Sequence, residues 1–101
     1  MKTFRTYHLA RDFYRQIVPL KLVRPLRDQL HRAAASVALN LAEGYGRQTL
    51  TDQRRFFAIA LGSVRECQAV FDLAADAVPD GLRHHLDHLA ASTWRLLHPA
   101  R

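Results

Sequence analysis

A chain of 101 residues has room for one hydrophobic core, and its four Gly and four Pro are too few for a turn-rich β-protein. No apolar run reaches the roughly 20 residues needed to cross a bilayer, and Cys67 is the sole cysteine, which excludes an internal disulfide. The formal charge of +6 is uneven: residues 1–55 hold eleven Lys and Arg against four Asp and Glu, whereas residues 56–101 hold four against five.

The opening MKTFRTYHLARDF meets charge every few residues, so it has no signal-peptide core, and the reducing cytoplasm is the expected location. A first helix is expected over residues 5–18, with Leu9, Phe13, Ile17 and Leu20 on one stripe and His8, Arg11 and Arg15 opposite. Pro19 disfavours helical geometry at Val18 and ends it. A connector over 20–24 leads to Pro25, whose fixed φ suits the first turn of a second helix. That helix continues to about Tyr45, where Gly44 or Gly46 is expected to take the left-handed conformation that closes a helix. Thr49-Leu50-Thr51-Asp52 has capping-box spacing and opens a third helix that runs to about Val78. In the turn Pro79-Asp80-Gly81, Asp80 is the expected cap of a fourth helix over 81–98, whose apolar seam is Leu82, Leu86, Leu89 and Leu96. Short connections between helices two to four make the expected fold all-α, an antiparallel up-and-down four-helix bundle in a single domain over 1–101.

Helices 2 and 3 depart from ordinary amphipathicity. On helix 2, Leu26, Leu30, Ala33, Val37 and Leu41 form a core stripe, yet Ala35, Ala38, Leu39 and Ala42 occupy the side that ought to be polar. Helix 3 begins Phe56-Phe57-Ala58-Ile59-Ala60-Leu61, apolar in every direction. A helix apolar all round is buried all round, so self-association is expected to cover these faces. Gly62 lies mid-helix at a cost of about 1 kcal/mol relative to Ala. With Ala58 one turn earlier, it is expected to let helix 3 approach helix 2 closely. Beside the core stripe of helix 2, Arg32, Ser36, Asn40, Glu43 and Arg47 follow one edge at steps of three and four. Buried Asn and Glu need partners, so a satisfied polar network at a helix or subunit contact is expected, with a ligand site as the other reading.

Arg32-Ala33-Ala34, Ser36-Val37 and Asn40-Leu41-Ala42-Glu43-Gly44-Tyr45-Gly46-Arg47, followed by Ala60-Leu61-Gly62-Ser63 and Glu66, resemble the "four helix bundle protein" family. That family includes proteins encoded in intervening sequences of bacterial 23S ribosomal RNA genes. It is related to the accessory variability-determinant proteins of diversity-generating retroelements. The detailed match spans residues 27–73 and departs from the pattern at Ala38, where members often carry Pro. The resemblance implies a four-helix bundle assembled into a ring-like homopentamer, with no known enzymatic activity. The retroelement relatives work beside a reverse transcriptase and are thought to contact nucleic acid. Ser36, Asn40, Glu43, Arg47, Gly62 and Glu66 are, on this resemblance, motif and oligomer-contact positions.

Positive charge in residues 1–55, chiefly Lys2, Arg5, Arg11, Arg15, Lys21, Arg24 and Arg27, points to an anionic partner, and the planar Arg fork donates bidentately to phosphate. Arg11, Arg15, Lys21, Arg24 and Arg27 are the candidate nucleic-acid-binding residues. The expected function is that of a non-enzymatic oligomer binding RNA or DNA, or accompanying a reverse transcriptase or ribosomal RNA. A protein scaffold without nucleic-acid binding is the alternative, and a helix-turn-helix regulator a third reading. Against the third stand Phe56, Phe57, Ile59 and Leu61, because a recognition helix exposes polar side chains to base edges. No acid–base constellation supports an enzyme, and Cys67 has no activating cation nearby. His84 and His88, with Asp87 near, lack the further ligands of a structural zinc site. No metal, cofactor, small-molecule substrate or membrane partner is therefore expected.

Overall fold

Helix boundaries follow the chain's punctuation. The computed structural model describes residues 4–100, so Lys2 lies outside the described residues. Among these there are four α-helices, α1 (Phe4–Ile17), α2 (Arg24–Tyr45), α3 (Leu50–Ala74) and α4 (Asp80–Leu97), a 3-10 turn at Ala75–Ala77, and no strand. Pro19 follows the end of α1, and Pro25 sits in the first turn of α2, where its missing N–H is not needed. Helix α2 runs unbroken through Ala38. At the start of α3 the Thr49 hydroxyl accepts the Asp52 backbone N–H at 3.1 Å, one of the orphan donors that a helix N-terminus leaves.

Four expectations need correction. Gly46 closes α2 with φ −84°, and no described glycine has a positive φ, so neither Gly44 nor Gly46 is left-handed. Gly44 is small for a different reason: a Cβ there would meet Phe57 Cε1 at 2.6 Å and Phe56 Cβ at 3.2 Å. The close approach between α2 and α3 therefore belongs to Gly44. Gly62, which was expected to supply it, is exposed and a Cβ on it would meet nothing within 4 Å. Steps of three and four from Phe57 to Phe71 turn Ala60, Val64 and Cys67 inward, and Gly62 falls on the opposite side.

The third correction is the end of α3. Ala75 has φ 50°, and this left-handed residue stops the helix at Ala74, short of Val78. Arg83 reaches back from α4, donating from Nη2 to the Ala75 carbonyl and to the Phe71 carbonyl at 3.4 Å, so two carbonyls at the helix end gain a cationic donor. Pro79, rather than Asp80, occupies the cap position of α4. Asp80 lies in the first helical turn, where a carboxylate complements the helix dipole, and makes no side-chain cap.

Each helix packs on two neighbours: α2 on α1 and α3, and α4 on α3 and α1. Between α2 and α3, Gly44 meets Phe57 and the Ser36 hydroxyl bonds that of Ser63 at 2.7 Å. Between α1 and α4, the buried Thr6 and Ser92 hydroxyls bond at 2.6 Å, and a His85 ring nitrogen lies 3.1 Å from the Leu9 carbonyl. Phe13 reaches across the centre to Phe71, ring centroids 5.9 Å apart, and to His85 at 5.7 Å. Leu30, Val37, Leu41, Val64, Cys67, Leu86 and Leu89 complete the solvent-free interior. Helices 2 and 3 are not buried all round within the chain. Ala35 and Ala38 are half covered, while Leu39, Ala42, Ala58 and Ile59 are exposed.

Urea denaturation of three variants reads out these backbone placements. Gly44→Ala should destabilise the chain by about 1–3 kcal/mol through overpacking against Phe57, whereas Gly62→Ala should stabilise it by about 0.5–1 kcal/mol through helix propensity. Ala75→Gly should also stabilise, by about 1 kcal/mol, by relieving the positive φ. An unchanged midpoint for Gly44→Ala would remove the close-approach account.

Candidate functional site

Of the five candidate phosphate-binding residues, the fold joins two into one groove. Steps of four and three put Tyr7, Arg11 and Tyr14 along one side of α1, and Arg15 follows directly. All four line a depression whose other wall is Ala35, Ala38 and Leu39 of α2. Small residues on α2 leave space beside the rings, giving a cavity of about 220 Å³. Arg11 is paired with Asp12, Nη2 to Oδ1 at 3.1 Å, while Arg15 has no ion-pair partner among the described residues. Behind the groove, Tyr14 meets His31 edge-on at 6.4 Å, and His31 Nε2 is buried without a hydrogen-bond partner among the described residues.

The connector residues are placed differently. Lys21 lines a second groove with Leu22, Val23 and Leu26 of the connector and early α2, and with Leu73, Ala74 and Ala77 at the end of α3. Arg24 and Arg27 are exposed and line neither groove, and Arg27 lies 3.6 Å from the Asp28 carboxylate. The two grooves thus take three of the five cations, and Arg24 and Arg27 lie outside both.

The polar edge of α2 couples to α3 through hydroxyls. Asn40 Nδ2 donates to the Ser36 carbonyl at 2.9 Å and to the Ser36 hydroxyl at 3.1 Å, which in turn bonds Ser63. Glu43 and Arg47 form an exposed ion pair at 2.9 Å, worth little in water by itself. Arg47 also lies 4.6 Å from the Phe56 ring centroid, and Arg55 lies 4.4 Å from the same centroid. Glu66 and Gly62 are exposed on α3 and join none of these bonds. Leu39 is three residues beyond Ser36 and Ile59 four before Ser63, so two exposed apolar side chains flank the hydroxyl pair.

Four participants escaped the reading by charge and motif. Tyr7 and Tyr14 fall beside the basic stripe of α1, and their seven-residue spacing was the available signal. Ser63 stood in the motif, but nothing in one dimension pairs it with Ser36. Arg55 needed the α2–α3 turn to reach the ring that Arg47 covers.

Among the described residues, burial shifts two titratable groups, Cys67 and Tyr45. Burial pushes the Cys67 thiol up to about 12, with the Glu66 carboxylate adding in the same direction. Burial also raises the Tyr45 phenol, the Thr6 hydroxyl offsetting part of the shift. His84, Asp87 and His88 are exposed, and among the described residues no group of three His, Cys, Asp or Glu is placed to hold an ion. No helix among them is long and apolar enough to cross a membrane. Native Cys67 should therefore resist iodoacetamide at pH 8, where about one thiol in 10,000 is ionised, and react on unfolding in urea. Its raised pKa contributes stability that is full below about pH 9 and fades as pH rises toward 12, because the unfolded thiol ionises first. Rapid native alkylation would contradict the burial.

The 23S rRNA-intervening sequence protein family matches residues 3–78, which take in α1, α2, α3 and the turn that follows, and leave α4 outside the match. No curated protein matches the chain. The matched span is well over half the sequence and contains the coupled Ser36, Asn40 and Ser63 edge; the chain belongs to the 23S rRNA-intervening sequence protein family.

Proposed function

We propose that this protein is a non-enzymatic, self-associating bundle of the cytoplasm that binds nucleic acid through its basic residues. One observation carries the reading. Of the ten Lys and Arg between residues 4 and 55, none is buried, and among the described residues only Arg11, Arg27, Arg47 and Arg55 lie within 4 Å of a carboxylate. Most of that charge is available to phosphate, where Arg donates bidentately. No element is shaped to read base edges, so binding is sequence-tolerant.

The assembly proposed is an antiparallel up-and-down bundle closed into a homopentameric ring. Opposed contact order supports the first part: Gly44 pairs with Phe57 and Ser36 with Ser63, and Thr6 pairs with Ser92 and Leu9 with His85. Supporting self-association, Ile59 and Leu73 of α3 are 44% and 72% exposed, apolar side chains that a second copy of the chain would cover. The pentamer number rests on the resemblance to the four helix bundle family. A ring repeats each weak cationic patch and makes it multivalent.

Light scattering at micromolar concentration should give a closed oligomer near five times the 11.6 kDa chain, and Ile59→Glu with Leu73→Glu should dissociate it. A monomeric wild type would end the ring reading. Fluorescence anisotropy should show steep salt dependence: neutralising about five phosphates gives a log–log slope near −4.5 on duplex DNA and nearer −3.5 on single strands. Arg11→Gln, Arg15→Gln and Arg24→Gln together should flatten that slope without dissociating the ring. Absence of binding at low salt would make an acidic protein the leading partner.

A further inference from the structure

The α1–α2 groove combines features that a charge argument treats separately. Its floor is Ala35, Ala38 and Leu39, two tyrosine rings stand along it, and two guanidiniums share it. A free phosphate has no use for the apolar floor, and an apolar peptide has no use for the guanidiniums. A nucleotide whose base is unpaired uses both, laying a planar ring on the aromatic wall and its phosphate against Arg.

Ring availability favours this occupant. Tyr7 meets the His8 ring at 5.8 Å and Tyr14 the His31 ring at 6.4 Å, both edge-on, so neither carries a parallel ring among the described residues. Trp94 is also exposed, but His98 already stacks on it at 4.0 Å and 13°. Seven helical residues separate Tyr7 from Tyr14, about 10 Å along the axis, enough for successive bases of an extended strand to meet different rings. Arg15, without a carboxylate partner among the described residues, is the stronger phosphate anchor; a phosphate at Arg11 competes with Asp12.

We infer that the α1–α2 groove binds single-stranded nucleic acid, with unpaired bases stacked on Tyr7 and Tyr14 and the backbone held by Arg15 and Arg11. The inference rests on the nucleic-acid reading above and adds selectivity to it, since the bases of a duplex are stacked on one another and offer no face to the protein.

The test compares a single-stranded 12-mer with the same sequence as a duplex, at one ionic strength, by fluorescence anisotropy on the intact oligomer. Tyr7→Ala and Tyr14→Ala should each weaken single-strand binding roughly tenfold and leave duplex binding within about twofold. Tyr14→Phe, which keeps the ring, should retain single-strand affinity. Arg15→Gln should weaken both. Tyr14 also packs on the core, so circular dichroism accompanies each variant, and a variant that unfolds is replaced by a measurement on wild type. A 12-mer carrying 2-aminopurine should lose emission on binding, as a stacked base does. Equal losses on both strands, a Tyr14→Phe loss as large as that of Tyr14→Ala, or unchanged 2-aminopurine emission would overturn the inference while charge-driven binding survives. Wild type binding neither strand would remove the nucleic-acid reading itself.

Discussion

Gly44 and Phe57 occupy a space that admits one side chain, and the geometry of the bundle depends on that sharing. With no Cβ at Gly44, the Phe57 ring lies against the α2 backbone, and Tyr45 meets the same ring at 5.1 Å. Phe4 extends the cluster at 5.3 Å from Tyr45, tying the first turn of α1 to the end of α2. Moving along the two helices from this pivot, the next polar contact is Ser36 to Ser63, two turns away. Hydroxyls that close have to be paired, so the contact sets register as well as distance.

That register decides which residues remain outside. Once Gly44 and Ser36 face α3, the rotation of α2 turns Ala35 and Ala38 toward α1 and leaves Leu39 on the ridge between the two contacts. The α1 side receives Tyr7 and Tyr14, and Arg11 and Arg15 come with them because they share a face of the helix. The groove, the exposed apolar ridge and the polar edge are therefore three consequences of one helix rotation. A change at Gly44 would disturb all of them without touching any.

The other half of the bundle is held by a different device. Helix α4 lies outside the family match, yet it closes the core through Leu82, Leu86 and Leu89 and pins α1 by the buried Thr6 to Ser92 pair. Near its start Arg83 donates to carbonyls at the end of α3 around the left-handed Ala75. A charged side chain used in this way is unavailable to a ligand, so the basic residues of the second half of the chain do not all count toward an anionic partner.

Local signals determined the four helices, because proline geometry, a threonine cap and apolar periodicity act over a few residues. The core stripe Leu30, Ala33, Val37 and Leu41 and the seam Leu82, Leu86 and Leu89 were legible for the same reason, and so was the placement of excess charge in residues 1–55. Glycine roles were not legible. Gly44 and Gly62 look alike in one dimension, and only the rotation of α2 against α3 makes one a contact and the other a surface. The tyrosines of the groove were equally hidden, since Tyr7 and Tyr14 acquire meaning only when alanines of a second helix stand opposite them. Ala75 in a left-handed conformation was hidden too, because a non-glycine adopts it only where distant groups, here Arg83, supply what the local chain does not. Residues acting within one helix could be read from spacing; those acting between helices waited on packing, which is set by the fit of whole faces rather than by neighbours in sequence.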